Sequence, residues 1–195
     1  MLLHGRGSDE RDLLALRGGL PAGAMLALPR APFPGAPWGY GPGWAWYRFL
    51  GGTRVDDESF AESQRALAEL LADLPRRLPV EPGALVLGGF SQGGTMSLAH
   101  ALLHPGAVPH VLSFSGFLAE HPSVRATPET VRGTRVWWGH GRSDPAIPFE
   151  HAVTGRAALR AAGADITERD YDIGHWIDEG ELRDAVDWLA EGGVR

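Results

Sequence analysis

Apolar residues recur along this chain in two alternating rhythms. Short, mostly apolar runs predict strands: MLLH at 1–4, AMLALP at 24–29, ALVLGGF at 84–90, HVLSFSG at 110–116, RVWWGHG at 135–141 and DITERDYD at 165–172. Between them lie stretches with helical spacing at 56–74, 92–104, 149–163 and 177–191. In the first of these, Phe60, Leu67, Leu70, Leu71 and Leu74 fall on one stripe, and the acids at its start suit the helix dipole. Gly163 closes the third as a helix stop.

Strands alternating with helices predict an α/β fold, a mostly parallel central sheet with helices on both faces. No repeat or low-complexity linker divides the chain, so a single domain over residues 1–195 is expected. In such sheets the ligand site lies beyond the carboxyl ends of the strands. The residues there are HGRGSDE, SQGG, SG, GRSDP and IGHW. Three of these loops carry a serine, an aspartate and a histidine.

The serine stands in GGFSQGG. Gly89-Phe90-Ser91-Gln92-Gly93 has small residues two before and two after Ser91, as a strained strand-to-helix turn requires. Such a turn would lift the Ser91 hydroxyl out of the sheet as a nucleophile. The plain alternative is a glycine-rich turn that packs a helix tightly on its strand. A serine hydroxyl needs a base, and His175, beyond the last strand with Gly174 before it, is the candidate. His100, His104, His110, His121 and His151 fall on helices or element edges, and His140 lies inside a strand run. The base needs an acid to hold its tautomer. Asp144 follows the preceding strand and is preferred to Asp170, Asp172 and Asp178, which lie nearer His175 in sequence. Its bland role would be a turn before Pro145. Two N–H donors for a developing oxyanion are expected from Gln92, next to the nucleophile, and from Arg6 after the first strand.

Residues 29–54 hold five prolines and six glycines, which exclude regular structure over most of the segment. They also hold seven aromatics, so the segment is expected to fold over the strand ends and line a pocket. Trp44 and Trp46, with Trp176 beside the candidate base, are the substrate-binding candidates. The competing reading is a loop whose aromatics pin it to the core.

Composition narrows the picture further. A formal net charge of −6 argues against nucleic acid. No run is long and apolar enough for a membrane span, and MLLHGRG lacks the features of a signal peptide, so a cytoplasmic protein is expected. Absence of cysteine removes disulfides and thiolate metal sites.

LLHGRGSDERDLLAL, GGFSQGG, GHGRSDPAIP and IGHWI, in that order, resemble the phospholipase/carboxylesterase family of α/β-hydrolases, which includes bacterial carboxylesterases and acyl-protein thioesterases. The order Ser91, Asp144, His175 is that of an α/β-hydrolase triad. The resemblance implies a serine hydrolase of carboxylic esters, thioesters or lysophospholipids with no metal and no organic cofactor. It gives Ser91 as nucleophile, His175 as base, Asp144 as its orienter, and Arg6 and Gln92 as oxyanion donors. A small-molecule ester is the implied partner, and a homodimer is left open. Two features depart from the pattern. Only three residues precede His4, so either the N-terminal edge of the sheet is truncated or the native chain starts upstream. Arg6 stands where an apolar residue is usual, and its side chain could meet a substrate carboxylate or phosphate. No insertion is large enough for a separate cap domain, so an open site is expected. The rival readings are a dienelactone-hydrolase-like enzyme, whose cysteine nucleophile has no counterpart here, and a non-catalytic binder on the same fold.

Overall fold

The computed structural model describes residues 1–79 and 81–194. Five strands form one sheet: β1 (Leu2–Leu3), β2 (Val86–Phe90), β3 (His110–Phe114), β4 (Arg135–Gly141) and β5 (Asp165–Tyr171). They lie side by side in chain order, and every pairing is parallel. Four helices accompany them: α1 (Asp57–Arg77), α2 (Gln92–Leu103), α3 (Phe149–Ala161) and α4 (Glu179–Glu191).

This strand order dictates where the helices go. Right-handed crossovers that step in one direction along a sheet all fall on the same face. Accordingly Phe60 and Leu67 of α1, Met96 and Leu98 of α2, and Ala152 and Leu159 of α3 share one core with Leu3, Leu87, Val111, Val136 and Trp138. Helix α4, which follows β5, covers the other face. There Ala185, Trp188 and Leu189 pack against Leu112, Phe114 and Trp137. The period-two alternation of a strand thus sends the adjacent Trp137 and Trp138 into opposite layers.

Helix starts are set locally. The Asp56 carboxylate accepts from Ser59 N–H at 3.1 Å to cap α1, and Asp178 accepts from Glu181 N–H at 2.7 Å to cap α4. Of the expected stripe on α1, Phe60 and Leu67 are buried, while Leu70, Leu71 and Leu74 are partly buried against the same core. Gly163, with φ of 83°, follows α3.

One expected strand is absent. Residues 24–29 form no strand; the segment runs beside β1, whose Leu2 N–H donates to Ala27 C=O at 3.0 Å. β1 has only two residues, which leaves little ladder to extend. Residues 33–55 contain two short antiparallel ladders, Phe33–Pro34 with Trp44–Ala45 and Phe49–Gly51 with Arg54–Val55. Among the described residues no helix is long and apolar enough to cross a membrane.

Candidate active site

Ser91 occupies the turn between β2 and α2 with φ of 54° and ψ of −115°. A side chain at positive φ strains the backbone by about 1–3 kcal/mol, so the surroundings must enforce it. They do so through close packing and hydrogen bonds. A Cβ on Gly93 would collide with the Leu3 carbonyl, and one on Gly89 with the Leu3 carbonyl and the Gly93 backbone. Ser91 N–H donates to Phe114 C=O at 2.8 Å, and Thr95 N–H donates to Ser91 C=O at 3.0 Å. The glycines therefore let β1, β2 and α2 meet closely enough to hold the turn.

His175 Nε2 lies 3.0 Å from Ser91 Oγ, and His175 Nδ1 lies 2.6 Å from Asp144 Oδ2. The loops that carry the histidine and the aspartate are tied together, because Arg142 N–H donates to Tyr171 C=O and Ser143 N–H to Ile173 C=O. The His175 ring also packs on Phe90, with centroids 4.6 Å apart. The second Asp144 oxygen accepts from Ala146 N–H and Ile147 N–H, each at 2.8 Å. Burial by itself would raise the Asp144 pKa. The bonds from His175, Ile147 and Ala146 outweigh that and hold it below the ordinary carboxylate value. The other aspartates near His175 in sequence are engaged elsewhere. Asp170 pairs with Arg156 at 2.6 Å, Asp172 with Arg142 at 2.8 Å, and Asp178 caps α4.

Ser91, Gln92 and His175 line a cleft of about 200 Å³ together with Gly5, Arg6, Tyr47, Phe49, Phe90, Phe117 and Ile147. Asp12 and Ser8 also reach it. Arg6 and Gln92 line the same cleft as the serine, and neither backbone N–H donates to another backbone carbonyl among the described residues. The Gln92 side chain faces the opposite way. Its Oε1 accepts from Trp46 N–H at 3.0 Å and its Nε2 donates to Tyr47 C=O at 2.9 Å, which fastens the aromatic segment to the elbow.

The three tryptophans expected at the substrate do not line this cleft. Trp46 is buried in the core, with its indole N–H donating to His4 C=O at 2.9 Å. Trp44 is partly buried beneath the Arg30 guanidinium, 5.0 Å above its ring. Trp176 is 55% exposed outside the cleft. Trp46 satisfies its indole N–H on the His4 carbonyl within the core and Trp44 stacks with the Arg30 guanidinium, so neither ring is left to face the cleft. The aromatic walls are Tyr47 and Phe49 from the same segment, and Phe90 and Phe117 from the ends of β2 and the loop after β3.

A family model described as Phospholipase/Carboxylesterase matches residues 1–191. The chain belongs to the phospholipase/carboxylesterase family. It is thereby an enzyme of the ester-hydrolysing kind on an α/β-hydrolase fold. It is 30% identical over 200 residues to a "Probable inactive carboxylesterase" of Oryza sativa subsp. japonica, covering 96% of this chain and 81% of the relative. The crystal structure of esterase PE8 superposes with a TM-score of 0.79 at 29% identity, over 97% of this chain and 90% of that one. A carboxylesterase from Mesorhizobium loti shares the fold with a TM-score of 0.82 at 24% identity, over 97% and 86%.

Proposed function

We propose that this family member hydrolyses carboxylic esters of short to medium acyl chain by way of an acyl-enzyme on Ser91. The same chemistry would serve thioesters and lysophospholipids. His175 Nε2 takes the Ser91 proton as Oγ attacks the ester carbonyl carbon. The carbonyl oxygen becomes an oxyanion that accepts from Arg6 and Gln92 N–H. His175 then returns the proton to the departing alcohol, and Asp144 stabilises the imidazolium in between. Water attacks the acyl group by the same route in reverse, releasing the acid and restoring Ser91. The observation that carries this reading is the continuous contact from Ser91 through His175 to Asp144. The size of the cleft and its walls of Tyr47, Phe49, Phe117 and Ile147 support an acyl chain of modest length.

The test is hydrolysis of p-nitrophenyl esters, acetate through decanoate, by wild type and Ser91→Ala in parallel. Turnover that peaks within the series and disappears in the variant is expected. The rice relative gives the rival reading, a ligand binder without chemistry, its one support. Binding of esters without turnover by the wild type would favour that rival.

A further inference from the structure

Arg6 N–H, one of the two oxyanion donors in the reading above, belongs to the Gly5–Arg6 peptide. A trans peptide is a plane whose C=O and N–H point in opposite directions, so whatever holds one end aims the other. No peptide among the described residues is cis. The Gly5 C=O is held by its neighbour in the chain: His4 Nδ1 lies 2.7 Å from that oxygen in a buried contact. A carbonyl oxygen can only accept, so Nδ1 carries the proton. On the far side of the ring Ala31 N–H donates to His4 Nε2 at 3.1 Å, which requires a lone pair there. Two separate contacts thus select one neutral tautomer. Burial also disfavours the charged ring and lowers its pKa, outweighing the Gly5 bond and the acids Asp12, Asp9 and Glu10, which act the other way. The backbone is braced as well, since the Trp46 indole N–H donates to His4 C=O and the two rings pack with centroids 5.4 Å apart. His4 does not itself line the cleft, whereas Gly5 and Arg6 do.

We propose that His4 is a positioning residue for ester hydrolysis: its Nδ1–H pins the Gly5 carbonyl and so aims the Arg6 N–H at the oxygen on which negative charge develops. The inference rests on the acyl-enzyme reading. A donor of this kind acts where charge accumulates, so disturbing it should be felt in the transition state and hardly in substrate binding.

The experiment compares wild type, Ser91→Ala, His4→Phe and His4→Asn on p-nitrophenyl butyrate, with butylboronic acid as a mimic of the tetrahedral intermediate. His4→Phe should lower kcat by about tenfold to a hundredfold with KM within about twofold. Its affinity for the boronic acid should fall in parallel. His4→Asn, whose Nδ2–H can reach the Gly5 carbonyl, should recover most of the loss. Long-range ¹H–¹⁵N spectra of the labelled wild type should show His4 as the Nδ1–H tautomer, a readout that needs no variant to fold. An Nε2–H tautomer would overturn the proposal. So would variants that shift KM or thermal stability while kcat and boronic acid affinity stay put. An inert wild type, or a Ser91→Ala as active as the wild type, would remove the acyl-enzyme reading and His4's role with it. A Ser91-dependent wild type with kcat-neutral His4 variants would remove only the role of His4.

Discussion

The ring of His175 meets the carboxylate of Asp144 at 2.6 Å, while the other oxygen of that carboxylate is fixed by two backbone N–H groups. This arrangement makes Asp144→Asn an informative change. The amide oxygen would stay on Ala146 and Ile147 N–H and leave its NH₂ facing His175. The histidine must then accept at Nδ1 and carry its proton on Nε2, toward Ser91, which is the wrong tautomer for a base. Asp144→Asn should lower kcat by about 10³–10⁴-fold with little change in KM. Because the bonds to Asp144 hold its folded pKa below the unfolded value, it contributes stability above that value which is lost as pH falls through the folded one. An acid titration of thermal stability should therefore show a weaker decline in the variant.

Glu181 on α4 is fully buried against Gly139 of β4, and neither carboxyl oxygen has a partner among the described residues. Burial, followed by the charge of Asp178, pushes its pKa up to about 8 from an ordinary 4.5. Between those values the folded chain binds a proton that the unfolded chain has released, so this group lowers stability as pH rises and the effect levels off above about 8. Glu181→Gln should melt higher than wild type at pH 8 and differ little near pH 4. Equal melting temperatures at pH 8 would contradict this account of the carboxyl.

Gly93 has no room for a side chain, because the obstacle is the Leu3 backbone of β1 and not a flexible tip. Gly93→Ala should cost at least about 2 kcal/mol, a fall of roughly 4–8 °C in Tm for a chain of this size. Gly18→Ala, where a Cβ would meet nothing within 4 Å, is the control and should change Tm little.

The Arg6 guanidinium sits 4.8 Å from the Tyr40 ring centroid and 5.4 Å from that of Phe49, at the edge of the cleft. Stacked there, it places a positive charge at the edge of the cleft. The ratio of kcat/KM for a p-nitrophenyl ester with a terminal carboxylate to that for its neutral counterpart should fall about tenfold in Arg6→Leu. An unchanged ratio would remove the side chain from substrate recognition.

The central strands β2, β3 and β4 were legible because they are largely buried and read as apolar runs, whereas β5 is partly exposed and largely polar. β4 matches the run 135–141 from end to end, and β5 differs from its run by one residue. The convergence of Ser91, Asp144 and His175 was legible because the loops that follow parallel strands open at one end of the sheet, and the structure brings these three side chains into contact there. What stayed hidden depends on where single polar atoms find partners. Nothing in the spacing of 29–54 says that the Trp46 indole N–H bonds His4, so its bulk suggested a pocket wall where the fold uses a strut. The expected strand at 24–29 failed for a related reason, since an apolar run needs a neighbouring ladder and β1 offers two residues. Glu181 occupies the first turn of an amphipathic helix, where an acid usually signals a favourable helix dipole and a wet face. The clamp of the Gln92 side chain on Trp46 and Tyr47 has no sequence signal beyond the motif itself.

The most direct test of the acyl-enzyme is intact-mass analysis of the protein quenched in acid during turnover of a p-nitrophenyl ester, followed by peptide mapping. The wild type should carry one acyl group, located on Ser91, and Ser91→Ala none. Turnover that persists in Ser91→Ala, or an acyl group mapped to a different residue, would contradict the acyl-enzyme reading.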